Sequence, residues 1–261
     1  MNKSFRKIAC LIAIAATTMG ATMAQEAEPA TAGNKKLEFS VHLGGSIPMG
    51  GFETCDEELP PFMVLGHNNY AQANMGLNLG GKIKYNISPN NRFGFMATID
   101  LFYNSAFSYV KDYKDVEDIP SYINIPLMLG INYDYNITTD LSIWAEAGVG
   151  ANLRVITPWT GKGRTGSIDY DYYLRYLDSE ELAYECKYNN AITLAAQVGI
   201  GAKLMDKFSL GVHYYYLGYD VVNGTVNYET NHTGEVLVKE IGFKGIIVNT
   251  SMLVVRLGYH F

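Results

Sequence analysis

Long apolar runs are what this chain lacks most clearly. Hydrophobic residues make up 48% of its 261 residues, yet no stretch beyond the N-terminal segment supplies the roughly 20 consecutive apolar residues that a transmembrane helix needs. The sequence therefore argues against helical membrane spans. Strands are left as the means of crossing a bilayer.

An excess of positive charge is also absent. Twenty basic residues stand against 26 acidic ones, for a net charge of −6. A nucleic-acid-binding surface needs a concentrated basic patch, and the sequence has none. We therefore expect partners to be lipid, sugar or protein rather than nucleic acid.

Cysteine is scarce, with three in the whole chain. Cys10 lies in the N-terminal apolar segment, whereas Cys55 and Cys186 fall in two predicted external loops. An oxidising compartment permits a disulfide between these two. The alternative is two unpaired thiols, because the two loops leave the predicted barrel on opposite sides. Two cysteines without an adjacent pair of histidines make a poor zinc site, so no metal or cofactor is expected.

The first 24 residues have the order of a secretory signal peptide. Basic residues at 3, 6 and 7 precede an apolar run from Ile8 to Ala16, and small residues continue to Ala24. We expect cleavage after Ala24, a short periplasmic tail over 25–36, and a single barrel domain over 37–261. Cys10 stands near the start of the apolar run rather than at its end, so a lipid-modified N-terminus is not expected.

Alternation of apolar and polar residues predicts the fold class. In 141–155, Leu141, Ile143 and Val149 alternate with Ser142 and Glu146, and the final residues 251–261 behave in the same way. This period of two indicates a strand with a different solvent on each face. The pattern predicts an all-β, antiparallel, up-and-down transmembrane β-barrel of about eight strands, near 37–47, 75–87, 93–106, 122–135, 141–155, 191–204, 208–219 and 250–261.

The lengths of the connections predict an orientation. Short turns join the second, fourth and sixth strands to the next one, at 88–92, 136–140 and 205–207, and longer segments separate the others. Outer-membrane barrels combine short periplasmic turns with long external loops. The chain has 20 tyrosines. Several of them are near the ends of predicted strands, where the aromatic girdles of a barrel lie.

Charged residues occupy the polar face of the predicted strands. In a barrel of about eight strands this face points into a lumen that side chains fill, so we expect a network of ion pairs and hydrogen bonds there. A second hypothesis is a narrow small-solute or ion channel with Glu146, Arg154 and Arg256 as selectivity residues. The predicted lumen network comprises Glu38, His42, Lys82, Lys84, Asp100, Glu146, Arg154, Lys203, His213 and Arg256.

One stretch makes a resemblance specific. Residues 122–153, YINIPLMLGINYDYNITTDLSIWAEAGVGANL, with Ser121 before them, resemble the central hairpin of the PorT-like outer-membrane β-barrel family. Residues 259–261 resemble the C-terminal signal that the barrel-assembly machinery reads, with Tyr259 and Phe261 as its aromatic positions. The resemblance implies an outer-membrane barrel of about eight strands, often without an assigned biochemical role. Pro126 lies inside a predicted strand, where it removes a ladder donor, so we expect a bulge or a strand end.

The leading hypothesis for function is a non-enzymatic outer-membrane barrel with a structural or surface-interaction role. An outer-membrane enzyme acting on lipid A or peptides is an alternative, but no nucleophile motif accompanies the histidines His42, His67, His213 and His232. A soluble lipocalin-like barrel is a third, and it requires the apolar face to point inward.

Expected partners follow from the leading hypothesis. They are outer-membrane lipid, periplasmic chaperones and the barrel-assembly machinery during biogenesis, and an extracellular sugar or protein ligand. Aromatic residues of the third external loop, among them Trp159 and Tyr170, are candidates for the last of these. The acidic residues of the loops lack the ligand spacing of a known calcium loop, so we expect a solvated surface there.

Overall fold

The computed structural model describes residues 36–52, 73–87, 93–106, 116–118, 120–164, 181–232 and 235–261. Within these ranges, no helix is long and apolar enough to cross a membrane. Almost every described residue belongs to a strand. The elements are β1 (Leu37–Met49), a 3-10 turn (Gly50–Phe52), β2 (Ala73–Asn86), β3 (Phe93–Ala106), β4 (Val116–Asp118), β5 (Ser121–Asn136), β6 (Leu141–Ile156), β7 (Trp159–Arg164), β8 (Glu181–Tyr188), β9 (Ala191–Leu204), β10 (Phe208–His232) and β11 (Glu235–His260).

Eight of these strands close into an antiparallel barrel. The order around the wall is β1-β2-β3-β5-β6-β9-β10-β11, and β11 pairs back onto β1 with Ser40 opposite His260 and Met49 opposite Ser251. Each of the eight strands predicted from alternation coincides with one of these, so the predicted fold class is confirmed. Full closure leaves no open sheet edge within the barrel wall.

The two faces of the wall differ as the alternation predicts. In β6, for example, every second residue from Ser142 to Arg154 is buried or nearly so, and the residues between them are mostly exposed. The exposed set is large and apolar around the whole barrel, with Leu129, Leu194 and Leu257 among its members. The apolar face therefore points outward. This is the reverse of the inward apolar face that the lipocalin-like hypothesis required, and that hypothesis is wrong.

Pro126 lies in the middle of β5, not at a bulge or a strand end as expected. It pairs with Asn152 of β6, while the ladder between β3 and β5 skips the two positions opposite Asp100 and Leu101 without a change of register. The position tolerates a proline because only one of the two neighbouring strands would accept a hydrogen bond from the missing N–H group. The cost is a short gap in the β3–β5 ladder.

The last two strands continue well past the barrel. β10 has 25 residues and β11 has 26, whereas β9 stops pairing with β10 at Tyr216. Residues from Tyr219 to His232 pair with β11, and part of this stretch also pairs with β8. At about 3.3 Å per residue they extend roughly 45 Å. The alternation predicts that the seventh strand ends at 219 and that 220–249 is a loop. This prediction is wrong, because β10 and β11 continue into that segment.

Short strands from other connections join this extension. β8 pairs with β10, β7 with β8, and β4 with β7. Together with the outer parts of β10 and β11 they form a five-stranded sheet, β11-β10-β8-β7-β4, which we call the outer sheet. Three of the long connections thus contribute strands to one sheet at the same end of the barrel.

A β-bulge marks the point where β10 leaves the barrel. The pairing of β10 with β11 shifts between Tyr216 and Tyr219, and Gly218 in this interval has a φ of 94°, a conformation that glycine adopts without strain. The extra residue turns the Leu217 carbonyl inward, where it accepts hydrogen bonds from Thr193 Oγ1 at 2.5 Å and Asn152 Nδ2 at 3.2 Å. The bulge is therefore held by side chains of the neighbouring wall.

Candidate functional site: the barrel lumen

The lumen is the place where the strands gather polar side chains. The structure places all ten predicted lumen residues on the inner face of the wall, where eight of them are classed as buried and Glu38 and Lys82 as partly buried. They separate into three groups along the barrel axis, plus one pair close to the outer sheet. Each group couples cations with carboxylates.

The middle of the lumen is organised around Asp100, which is 1% exposed. Its Oδ1 accepts from His42 Nε2 at 2.6 Å and from Asn78 Nδ2 at 3.0 Å, and its Oδ2 accepts from the Tyr215 hydroxyl at 3.0 Å. Arg256 lies 3.3 Å from Oδ1 and also donates to the Tyr215 hydroxyl. A buried carboxylate needs this number of donors to offset its lost hydration.

A second group surrounds Glu146. Lys82 Nζ donates to its Oε2 at 2.8 Å, and His213 Nε2 donates to its Oε1 at 2.9 Å. The Lys82 ammonium also lies 5.1 Å from the centre of the Trp144 ring, within the range of a cation–π contact. The carboxylate is therefore shared between a lysine and a histidine.

Glycines on β9 and β10 make room for this group. Gly201 and Gly211 face each other across the β9–β10 ladder, and a Cβ on either would meet the Trp144 ring. A Cβ at Gly199 would meet the His213 ring in the same way. The high glycine content therefore has a packing role here.

The third group lies at the end of the barrel with the short turns. Lys84 pairs with Asp134, and Lys203 lies 3.7 Å from Asp134 and 3.8 Å from Glu38. Asn86 donates to Glu38 Oε1 at 2.7 Å. Glu38, Lys84, Asp134 and Lys203 border a cavity of about 10 Å³, which has room for about one water molecule. The mouth at this end is polar and narrow.

Near the outer sheet, Arg154 is buried and pairs with Asp220 at 2.7 Å. Asp220 lies just beyond the bulge of β10, so this pair fastens the start of the extension to β6. Among the lumen residues that the structure describes, five carboxylates offset five cations: Glu38, Asp100, Asp134, Glu146 and Asp220 against Lys82, Lys84, Arg154, Lys203 and Arg256.

An apolar cluster lies in the part of the lumen nearer the outer sheet, and it differs from the polar network that the sequence predicts. Phe52, on the 3-10 turn after β1, packs edge-on against Tyr122 with ring centres 5.1 Å apart. Phe102 and Tyr215 make a similar edge-on contact, with ring centres 5.0 Å apart. We call this cluster the apolar plug; its members are Phe52, Ala73, Phe102, Ala106, Tyr122, Met128, Ile156, Ala195, Tyr215, Leu217, Val222, Val248, Met252 and Val254.

One signal in the sequence pointed to the plug. Phe102, Met128, Tyr215 and Met252 interrupt the polar face of their strands, at positions that alternation assigns to the lumen. Phe52 carried no such signal, because it follows the end of β1. Its burial depends on Gly50, whose φ of 57° turns the chain over the barrel mouth.

Other predicted residues have different outcomes. Cys55 and His67 lie outside the described residues, and for His232 and Cys186 the structure describes only the backbone, with Cys186 opposite Trp159 and Val226 in the outer sheet. The disulfide therefore stays a prediction. Tyr259 and Phe261 lie on the outer wall. The Tyr259 ring centre is 5.5 Å from that of Phe208 and 5.1 Å from that of Phe261. No cluster of metal-ligating side chains is found in the part of the chain that the structure describes.

No protein-family model matches the chain, and no curated protein matches its sequence. Among solved structures, the outer membrane protein OprG from Pseudomonas aeruginosa is similar to this chain. The alignment covers 88% of this chain and 98% of the OprG chain, at 13% identity and a TM-score of 0.40. Neisserial surface protein A aligns with 87% and 96%, at 10% identity and 0.41. The attachment invasion locus protein Ail of Yersinia pestis aligns with 86% and 98%, at 12% and 0.39.

These proteins are bacterial outer-membrane proteins. Similarity at this level transfers no residue role, and the barrel assignment depends on the strand ladders of this chain itself.

Proposed function

We propose that this protein is a non-enzymatic bacterial outer-membrane barrel that holds the outer sheet at the cell surface and does not conduct solutes. The apolar plug is the observation that carries the second part of this proposal. Its aromatic and aliphatic side chains occupy the external end of the lumen beside the Arg154–Asp220 pair, and ion pairs and hydrogen bonds occupy the rest. A water-filled pore needs a wider barrel, as in porins.

The outer wall supports membrane insertion. Its exposed side chains are apolar around the circumference, and tyrosines such as Tyr85, Tyr133 and Tyr259 occur towards the strand ends, where aromatic girdles meet the interfaces. The short turns would then face the periplasm and the outer sheet the exterior. A signal peptide ending at Ala24, membership of the PorT-like family, and delivery by the barrel-assembly machinery complete the proposal.

Insertion is tested by fractionating the expressing cells and running the outer-membrane extract on a detergent gel with and without boiling. A closed barrel resists cold detergent and shifts in mobility only after heating. A soluble periplasmic protein without such a shift would contradict the proposal.

Conductance in planar bilayers tests the closed lumen separately. The wild-type protein, refolded and shown to be heat-modifiable, is expected to add no stable current steps in 1 M potassium chloride. Reproducible steps would instead support the narrow ion path. Replacing Glu146 with Gln should then change its ion selectivity.

A further inference from the structure

A polar patch lies on the outward surface of the wall, directly beyond the apolar belt. On β9, Ile192 and Leu194 are 79% and 83% exposed, and the chain immediately before them is Asn189 and Asn190, both exposed. Lys187, at the end of β8, is exposed as well. The change from fully apolar to polar takes place within two residues.

The neighbouring strand repeats this boundary at the same level. On β10, Tyr219 and Val221 are exposed apolar residues, and Asn223 and Thr225 follow them on the way out. The two strands are joined here, because the backbone N–H of Asn189 donates to the backbone carbonyl of Asn223 at 2.9 Å and Lys187 pairs with Thr225 in the ladder. Two side-chain amides, a hydroxyl and an ammonium therefore share one face, and exposed Asn190 is next to them in the chain.

The Lys187 side chain makes an exposed ion pair. It contacts Glu185 at 2.8 Å, and both side chains remain substantially exposed, at 52% and 39%. An exposed pair of this kind is weak, so the ammonium is free to turn to a stronger anionic acceptor such as a phosphate. Amides and hydroxyls beside a cation suit the hydroxyls, amides and phosphates of an amino sugar.

We propose that this patch binds the phosphorylated, acylated amino-sugar headgroup of an outer-leaflet glycolipid, with its acyl chains lying against Ile192 and Leu194. This proposal depends on the proposed outer-membrane location. The polar patch is continuous with the apolar wall, and this favours a glycolipid over a free sugar. A free sugar would not contact the apolar side chains next to the patch. It selects a sugar headgroup over a phospholipid because amide groups outnumber cations.

The test is competitive retention of lipid on the purified barrel. Wild-type protein is reconstituted in nanodiscs containing equal amounts of diphosphorylated lipid A and phosphatidylglycerol, extracted in mild detergent, and examined by native mass spectrometry. The wild type is expected to retain lipid A in preference to phosphatidylglycerol. A triple variant with Lys187, Asn189 and Asn190 changed to Ala should lose this preference by roughly tenfold, the scale of one charge-assisted hydrogen bond.

The matched control is Asn136→Ala with Lys207→Ala, which removes an amide and an ammonium from the short-turn end. It should retain lipid A like the wild type. Equal retention of the two lipids by the wild type, or undiminished retention by the triple variant, would overturn the glycolipid site. The heat-dependent gel shift is measured on the same samples. A lost shift in the wild type would instead refute the outer-membrane proposal, so the two failures are distinguishable.

Discussion

Removing the charge of Asp100 should destabilise the barrel strongly. The Asp100→Asn substitution preserves the shape of the side chain but leaves Arg256, which is 5% exposed, without its counter-charge. Breaking a buried ion pair by removing one partner costs about 3–5 kcal/mol. The amide can still accept from Tyr215 or His42, so we place the expected loss of unfolding free energy near the lower end, at about 3 kcal/mol.

A double variant separates the lost pair from the unpaired charge. Asp100→Asn combined with Arg256→Met removes both charges and retains most of the volume. Replacing both members of a buried pair is often close to neutral, so the double variant should be more stable than Asp100→Asn alone. We expect a coupling energy of at least about 2 kcal/mol between the two positions.

The assay is reversible urea unfolding in lipid vesicles, followed by the fluorescence of the two tryptophans, Trp144 and Trp159. The exposed pair Lys187–Glu185 provides a matched control, because Glu185→Gln should cost less than about 1 kcal/mol. A loss below 1 kcal/mol for Asp100→Asn, or strictly additive effects in the double variant, would refute the view that the lumen is a tightly coupled network of buried charges.

Three further predictions concern packing and turns. Met205→Asn should stabilise the barrel by about 0.5–1 kcal/mol, because Met205 has a φ of 52° in a tight turn that asparagine tolerates better; urea unfolding measures the gain. Gly211→Ala should cost about 1–3 kcal/mol, because its Cβ would meet the Trp144 ring. In the control Gly45→Ala, the new Cβ would make only an ordinary contact with the Gly76 carbonyl oxygen at 3.9 Å, so the loss should not exceed about 0.5 kcal/mol; equal losses would show that Trp144 packing is not the cause. Phe52→Ala should cost about 3–5 kcal/mol and still give no current in planar bilayers, and a stable pore in this variant would show that Phe52 alone closes the lumen.

Much of the barrel was predictable from alternation. A strand whose two faces meet different solvents must alternate with period two, so the sequence of 141–155 predicts both the strand and its orientation. The inward position of Glu146 and Arg154 follows from the same pattern, because a charge on the lipid-facing wall would be costly. Connection length predicted which ends of the barrel carry turns.

The partners within the lumen were not predictable. Asp100 and Tyr215 are separated by 115 positions in sequence and come together only because the wall closes on itself. Pairing of His42 with Asp100, and of His213 with Glu146, depends on strand register across several ladders. Alternation states which face a residue occupies but not the residue that faces it across the lumen.

The sequence by itself determined the number of wall strands, the residues that face lipid and the residues that face inward, because these properties follow from a local period of two. Only the tertiary structure decided that apolar side chains gather in one plug, that Phe52 joins this plug from outside the strands, and that three long connections combine into one outer sheet. These features arise from contacts between segments that are distant in the chain, which closure of the barrel and the bulge at Gly218 bring together. The local pattern marks some apolar lumen positions but does not show that they meet.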